Sequence, residues 1–221
     1  MTAPPMLSEL ERDALAELGN IGIGKASTAL GRMLGGLVTL SVPSVEMVPP
    51  ADVAGLLDRA LPPPLVGVAE QLGGLFAGCA LLVFPQQGSL ALARAALPAD
   101  VPADEVPALE DEVLAELGNV VLNSALALVA NLLGEQVDTG LPALFRGGAA
   151  DILQACAPAR AVIAAGTAGG AAAVLFHIDL RTALPGGDGV VVGGRVVLLL
   201  DSGSAGALQA TLGRYIGRVV A

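Results

Sequence analysis

The chain repeats itself, and that repeat limits its possible folds more than any other feature. Leu10–Asn20 and Leu109–Asn119 align without a gap at an offset of 99, differing only at Arg12/Asp111, Asp13/Glu112 and Ala14/Val113. The register persists downstream, where Ala26 meets Ala125, Leu34 meets Leu133, Gly35 meets Gly134, Pro43 meets Pro142 and Asp52 meets Asp151. A second correspondence, at an offset of 116, lays Gly78–Phe84 on Gly194–Leu200. Each of these runs leads into a Gly-Ser pair (Gly88-Ser89, Gly203-Ser204) and an apolar helical stretch. The chain therefore reads as a tandem duplication with halves near 1–100 and 101–221. A half of about 100 residues with a small core is marginal alone, so the halves are expected to share one sheet in a single domain.

Within a half, helical spacing of Leu7, Leu10, Ala14, Leu18 and Ile21 predicts a long helix over Leu7–Met33. Ser8 and Glu11 form a capping box, and Gly35-Gly36 stops the helix. A strand is expected at Leu37–Val42, ended by Pro43, and a short helix at Ala51–Ala60. Strands at Val66–Glu70 and Leu75–Phe84 flank a Gly73-Gly74 hairpin, and Ser89–Leu97 reads as a helix. In the second half the strands are expected near Val162–Ala165, Ala171–Ile178 and Val190–Leu200. Breaks are expected at Pro185–Gly189 and Gly193-Gly194, and Asp52 and Asp151 should cap the short helices. Helices and hairpins in this order make an α+β fold, with the two long helices packed on the shared sheet.

Composition narrows the function. The 221 residues are 54% hydrophobic but only 2% aromatic, with no Trp. Ala, Leu, Val and Gly must build the core, and few rings remain for stacking on bases or sugars. Eleven Lys and Arg against 21 Asp and Glu leave a net charge of -10. That field disfavours nucleic acid and anionic membrane as partners. The mean hydropathy of +0.72 raises the question of a membrane span. The uncharged run Ala161–Phe176 falls short of the roughly twenty residues a span needs. Met1–Pro5 does not look like the start of a signal peptide. Cys79 and Cys156 sit in apolar runs and read as buried free thiols, which suits a reducing compartment and a cytoplasmic location.

The chemistry-bearing feature is the repeated helix. Asp13, Glu17 and Asn20 stand at i, i+4 and i+7, as do Glu112, Glu116 and Asn119. Each helix thus offers two carboxylates and a carboxamide along one side. Glycine beside asparagine inside a helix costs roughly 1 kcal/mol for the glycine and several tenths for the asparagine. Residues that break local rules without structural gain are candidates for function. The alternative is that duplication copied an inert Glu and Asn, and that Gly19 and Gly118 let helices pack closely. The residues alone leave both readings open.

The patterns Asp13-x3-Glu17-x2-Asn20-x22-Pro43 and Glu112-x3-Glu116-x2-Asn119-x22-Pro142 resemble the signature of the CheC family, whose relatives include CheX and FliY. Leu18–Leu30 resembles the family's first helix, Leu37–Val48 its Val-rich strand and Gly78–Pro85 its sheet segment. The resemblance implies a phosphatase acting on the aspartyl phosphate of a CheY-type response regulator in chemotaxis. It implies that Asn20 and Asn119 position the attacking water and that Glu17 and Glu116 pair with the regulator's lysine. Asp13, Glu112, Pro43 and Pro142 complete the motif. Glu112 departs from the Asp or Ser usual at that place. The implied Mg²⁺ belongs to the regulator, and no cofactor of the chain's own is expected. The resemblance also admits the CheD deamidase as a partner. The competing reading is a non-catalytic regulator-binding or scaffold protein of chemotaxis or the flagellar switch. An unrelated small-molecule enzyme is disfavoured for want of a His, Cys or Lys constellation.

Other residues invite less. His177 stands alone on an apolar strand and reads as a satisfied, partly buried side chain. Gly19–Gly24 lies within a helix pattern and is no nucleotide loop. Gly166–Gly170 reads as a turn, and Ser27, Thr28, Asn123 and Ser124 either border the acidic face or point into the core.

Overall fold

Ser8 opens the first helix as the sequence predicts: its hydroxyl accepts from the Glu11 N–H, and the Glu11 carboxylate accepts from the Ser8 N–H. Helix α1 runs over Glu9–Met33 and ends at Gly35, whose φ of +64° closes the turn. The computed structural model describes residues 6–74, 76–133, 136–166, 170–183 and 191–219. Strands β1 (Leu37–Ser41) and β2 (Val45–Val48) follow, then a 3-10 turn at Pro50–Asp52 leading into α2 (Val53–Ala60). The half closes with β3 (Leu65–Gly74), β4 (Gly78–Pro85) and α3 (Ser89–Ala96). The second half supplies α4 (Val106–Leu133), β5 (Val137–Thr139), β6 (Ala143–Gly147), α5 (Ala149–Ala155) and α6 (Ala157–Gly166). It ends with β7 (Ala172–Ala183), β8 (Val191–Leu200) and α7 (Ser202–Val219).

The halves exchange strands. One antiparallel sheet runs β1-β7-β8-β4-β3-β5, with β2 also pairing β7 and β6 also pairing β3. The first two strands of each half thus edge the hairpin of the other. Leu81 lies opposite Val197, and Val197 is also its counterpart at the offset of 116. The pseudo-twofold axis of the duplication therefore passes between these two residues.

Both faces of the sheet are covered. The cluster under α1 and α4 includes Leu15, Ile23, Leu30, Leu114, Leu122 and Phe176. The cluster under α2, α5 and α6 includes Leu57, Leu65, Ile152 and Ala159. Strands buried on both sides need continuous apolar runs rather than alternation, as in Cys79–Phe84 of β4. This accounts for the high hydropathy, and among the described residues no helix is long and apolar enough to cross a membrane. Cys79 and Cys156 are buried free thiols with their Sγ atoms 3.5 Å apart, between the sheet and the short helices.

Four expectations change. Val162–Ala165 is helix, not strand. The alanine-rich stretch favours helix, and its buried residues Cys156, Ala159 and Val162 recur every third position rather than every second. Gly193-Gly194 does not break the chain but lies inside β8, opposite Asp179 and Ile178. A Cβ on Gly194 would sit 3.2 Å from the Val83 carbonyl oxygen, so the glycine admits the neighbouring strand. Gly73 and Gly74 continue β3 and pair with Asp138 and Val137. Asp52 makes no side-chain cap, because the 3-10 turn runs straight into α2 and gives it helical torsions. Asp151 does cap, accepting from the Gly148 N–H at 3.0 Å. Strands β2 and β6 were hidden among prolines and glycines. Pro185–Gly189 and most of Gly166–Gly170 lie outside the described residues.

Candidate functional site

The long helices α1 and α4 pack against each other on one face of the sheet, and each carries its acidic row outward. Asp13, Glu17, Glu112 and Glu116 are exposed, whereas Asn20 and Asn119 are half-buried. Ile21, beside Glu17 on the same face, is 60% exposed. Each helix therefore presents free carboxylates with a carboxamide one turn on, as the i, i+4, i+7 spacing requires.

The glycines before the asparagines have a packing explanation. A Cβ on Gly118 would stand 2.6 Å from the side chain of Val68 on β3, which no real contact allows. At Gly19 the nearest atoms belong to Phe176 and Val42, 3.4 Å away, which is ordinary contact. Gly118 thus admits the sheet rather than another helix, and its helix cost is offset by packing. The glycine half of the rule-breaking signal is structural.

The two asparagines differ. Asn20 Oδ1 accepts from the Val42 N–H at 2.7 Å, and its Nδ2 donates to the Val42 carbonyl at 3.1 Å. The side chain pairs with Val42 as a neighbouring strand would. Pro43 keeps Val42 extended, so both its backbone groups are presented to the carboxamide. Ser27 adds a second tie, its Oγ accepting from the Leu40 N–H at 3.0 Å. The counterpart of Val42 is Leu141, which is 91% exposed and makes no such bond. Asn119 Oδ1 instead accepts from Nδ2 of Asn123, one turn along the same helix. Ser124 bonds back to the Val120 carbonyl at 2.8 Å. The sequence singles out both asparagines and both prolines but not the Val42 backbone or Thr139, whose hydroxyl lies 3.5 Å from Asn123 Oδ1.

Elsewhere, His177 Nε2 lies 2.8 Å from Glu46, and burial lowers its pKa, with Arg195 adding to the effect. His177 is thus a satisfied, half-buried strand residue. Among the described residues, no three His, Cys, Asp or Glu side chains gather as a metal site.

Fold and site define a class: a pseudo-symmetric α+β chain displaying an acid–acid–asparagine row on each of two long helices. Residues 10–47, covering α1 to β2, match the CheC-like family. The chain is 30% identical over 139 residues to the flagellar motor switch phosphatase FliY of Bacillus subtilis, covering 62% of this chain and 35% of that protein. It thus spans about a third of the length of that relative. FliY of Thermotoga maritima superposes with a TM-score of 0.65 at 17% identity, over 94% of this chain and 98% of that one. The FliM middle domain of H. pylori superposes with a TM-score of 0.58 at 10% identity, over 94% and 99%. The chain thus shares the fold of these FliY and FliM structures, and its first helix and first two strands resemble the CheC-like family.

Proposed function

We propose that the chain is a cytoplasmic phosphatase that removes the aspartyl phosphate of a CheY-type response regulator in chemotaxis. The observation that carries the reading is an exposed Glu with a half-buried Asn three residues on, present at the same place on both long helices: Glu17 with Asn20 and Glu116 with Asn119. The reaction needs little from a helper. An aspartyl phosphate beside Mg²⁺ already hydrolyses, and placing the water in line lowers the barrier without a nucleophile or metal of the helper's own. A carboxamide can both accept from and donate to that water. In this reading Asn20 and Asn119 hold the water, and Glu17 and Glu116 pair with the regulator's lysine and fix the docking register. Asp13 and Glu112 flank them, and Pro43 acts through Val42. The Mg²⁺ arrives with the substrate. The match to a protein named as a phosphatase supports this reading.

A scaffold that binds the regulator without turning it over is the second reading. It is favoured by the Val42 clamp on Asn20, which occupies half of that carboxamide's hydrogen-bonding capacity. Phosphate release from a phosphorylated CheY-type regulator, followed with a fluorescent phosphate sensor, separates the two. Release faster with the chain than without it supports catalysis. Binding by anisotropy with unchanged release supports the scaffold.

A further inference from the structure

The two halves diverge at one position beside the candidate site. Residue 123 is the counterpart of residue 24, and the first half has glycine there, where an added Cβ would meet nothing within 4 Å. The second half has Asn123, exposed on α4, and its Nδ2–H donates to Asn119 Oδ1. Thr139 of β5 supports it, its hydroxyl donating to Asn123 Oδ1 at 3.5 Å. A side-chain relay thus runs from β5 through Asn123 to Asn119, replacing the backbone clamp that Val42 supplies to Asn20.

The relay has a direction. Asn123 donates to Asn119 Oδ1, which leaves the Asn119 Nδ2 group turned away from residue 123 and without a partner among the described residues. Asn119 keeps both N–H donors and one lone pair free, whereas Asn20 has spent one donor and one lone pair on Val42. We propose that Asn123 is the positioning residue of the second site, setting which atoms of the Asn119 carboxamide face an incoming water. The inference rests on the phosphatase reading and assigns a residue outside its Glu–Asn motif.

The test uses the full chain carrying Glu17→Ala, which silences the first site without touching the Val42 clamp. In that background Asn123→Ala removes the anchor. Asn123→Asp keeps its shape but can only accept, so it reverses the Asn119 carboxamide. Turnover of the phosphorylated regulator is measured as kcat and KM, with side-chain amide NMR of Asn119 as a second readout. Asn123→Ala should lower kcat by on the order of fivefold, the worth of one hydrogen bond. Asn123→Asp should lower it further and shift the Asn119 Nδ2 protons, with thermal stability unchanged in both. Values of kcat within twofold of the parent for both variants overturn the proposal while leaving the phosphatase reading intact. Unmoved Asn119 signals in Asn123→Asp overturn it whatever the turnover. A wild type that accelerates nothing removes the phosphatase reading and this inference with it.

Discussion

Glu70 is a carboxylate in a place built for an aromatic ring. It lies on β3 opposite Ala80. The counterpart of Ala80 is Val196, which lies opposite Phe176. Glu70 therefore occupies the position that Phe176 fills beneath Gly19 in the other half. It is 1% exposed, and neither carboxylate oxygen has a hydrogen-bond partner among the described residues. Burial without a partner disfavours the charged form and pushes the pKa from 4.5 up to about 7. Between those values the folded chain binds a proton that the unfolded chain has released. Unfolding free energy therefore falls as pH rises from 4.5 to 7 and stays low above it. The span, at roughly 1.4 kcal/mol per pH unit, sets a ceiling of about 3 kcal/mol. Glu70→Gln keeps the shape and removes the titration. Urea denaturation of wild type and variant should show the variant's relative stability growing by up to about 3 kcal/mol between pH 4.5 and 8. Other carboxylates titrate equally in both chains and cancel. Parallel stability–pH curves would show instead that Glu70 is hydrated or paired and keeps an ordinary carboxylate titration.

Three further outcomes follow from the packing. Gly118→Ala should cost about 1–3 kcal/mol by driving a methyl into Val68, whereas Gly19→Ala should be neutral or slightly stabilising; thermal melts of the two variants check the contrast. Ser8→Ala removes the N-cap hydroxyl of α1 and should cost about 1 kcal/mol by denaturation, with no change in regulator binding. Asn20→Ala strips both bonds from Val42 and should lower stability by roughly 1–3 kcal/mol, while Asn119→Ala should do so by less than 1 kcal/mol; equal losses would contradict the asymmetry between the sites.

The architecture was legible because duplication printed it twice. The offset of 99 aligned the helices and the offset of 116 aligned the central strands, and the second of these also locates the axis at Leu81 and Val197. Capping at Ser8 and the stop at Gly35 depend on local chemistry and were readable. Helix α6 was not, since Val162–Ala165 alone is too short a stretch to show the three-residue recurrence of Cys156, Ala159 and Val162 that marks the helix. Strand β2 was hidden between Pro43 and Pro49, and its pairing with β7 is a contact across the halves that no local pattern carries. At the site, the Glu and Asn positions follow from helical spacing. The bond partners of the asparagines do not, because a backbone clamp at Val42 and a relay through Thr139 depend on where β1 and β5 come to rest. Gly118 shows the converse, since its cost within the helix suggested function and its contact with Val68 explains it.

The most direct test of the account is the decay of radiolabelled phosphate on a CheY-type regulator with Mg²⁺ and the chain at one-tenth of its concentration. Wild type, Asn20→Ala, Asn119→Ala and the double variant are compared. Wild type should clear the label over repeated turnovers, each single variant should keep part of the activity, and the double variant should fall close to the regulator's own rate. Wild type and double variant decaying at the same rate would contradict the account.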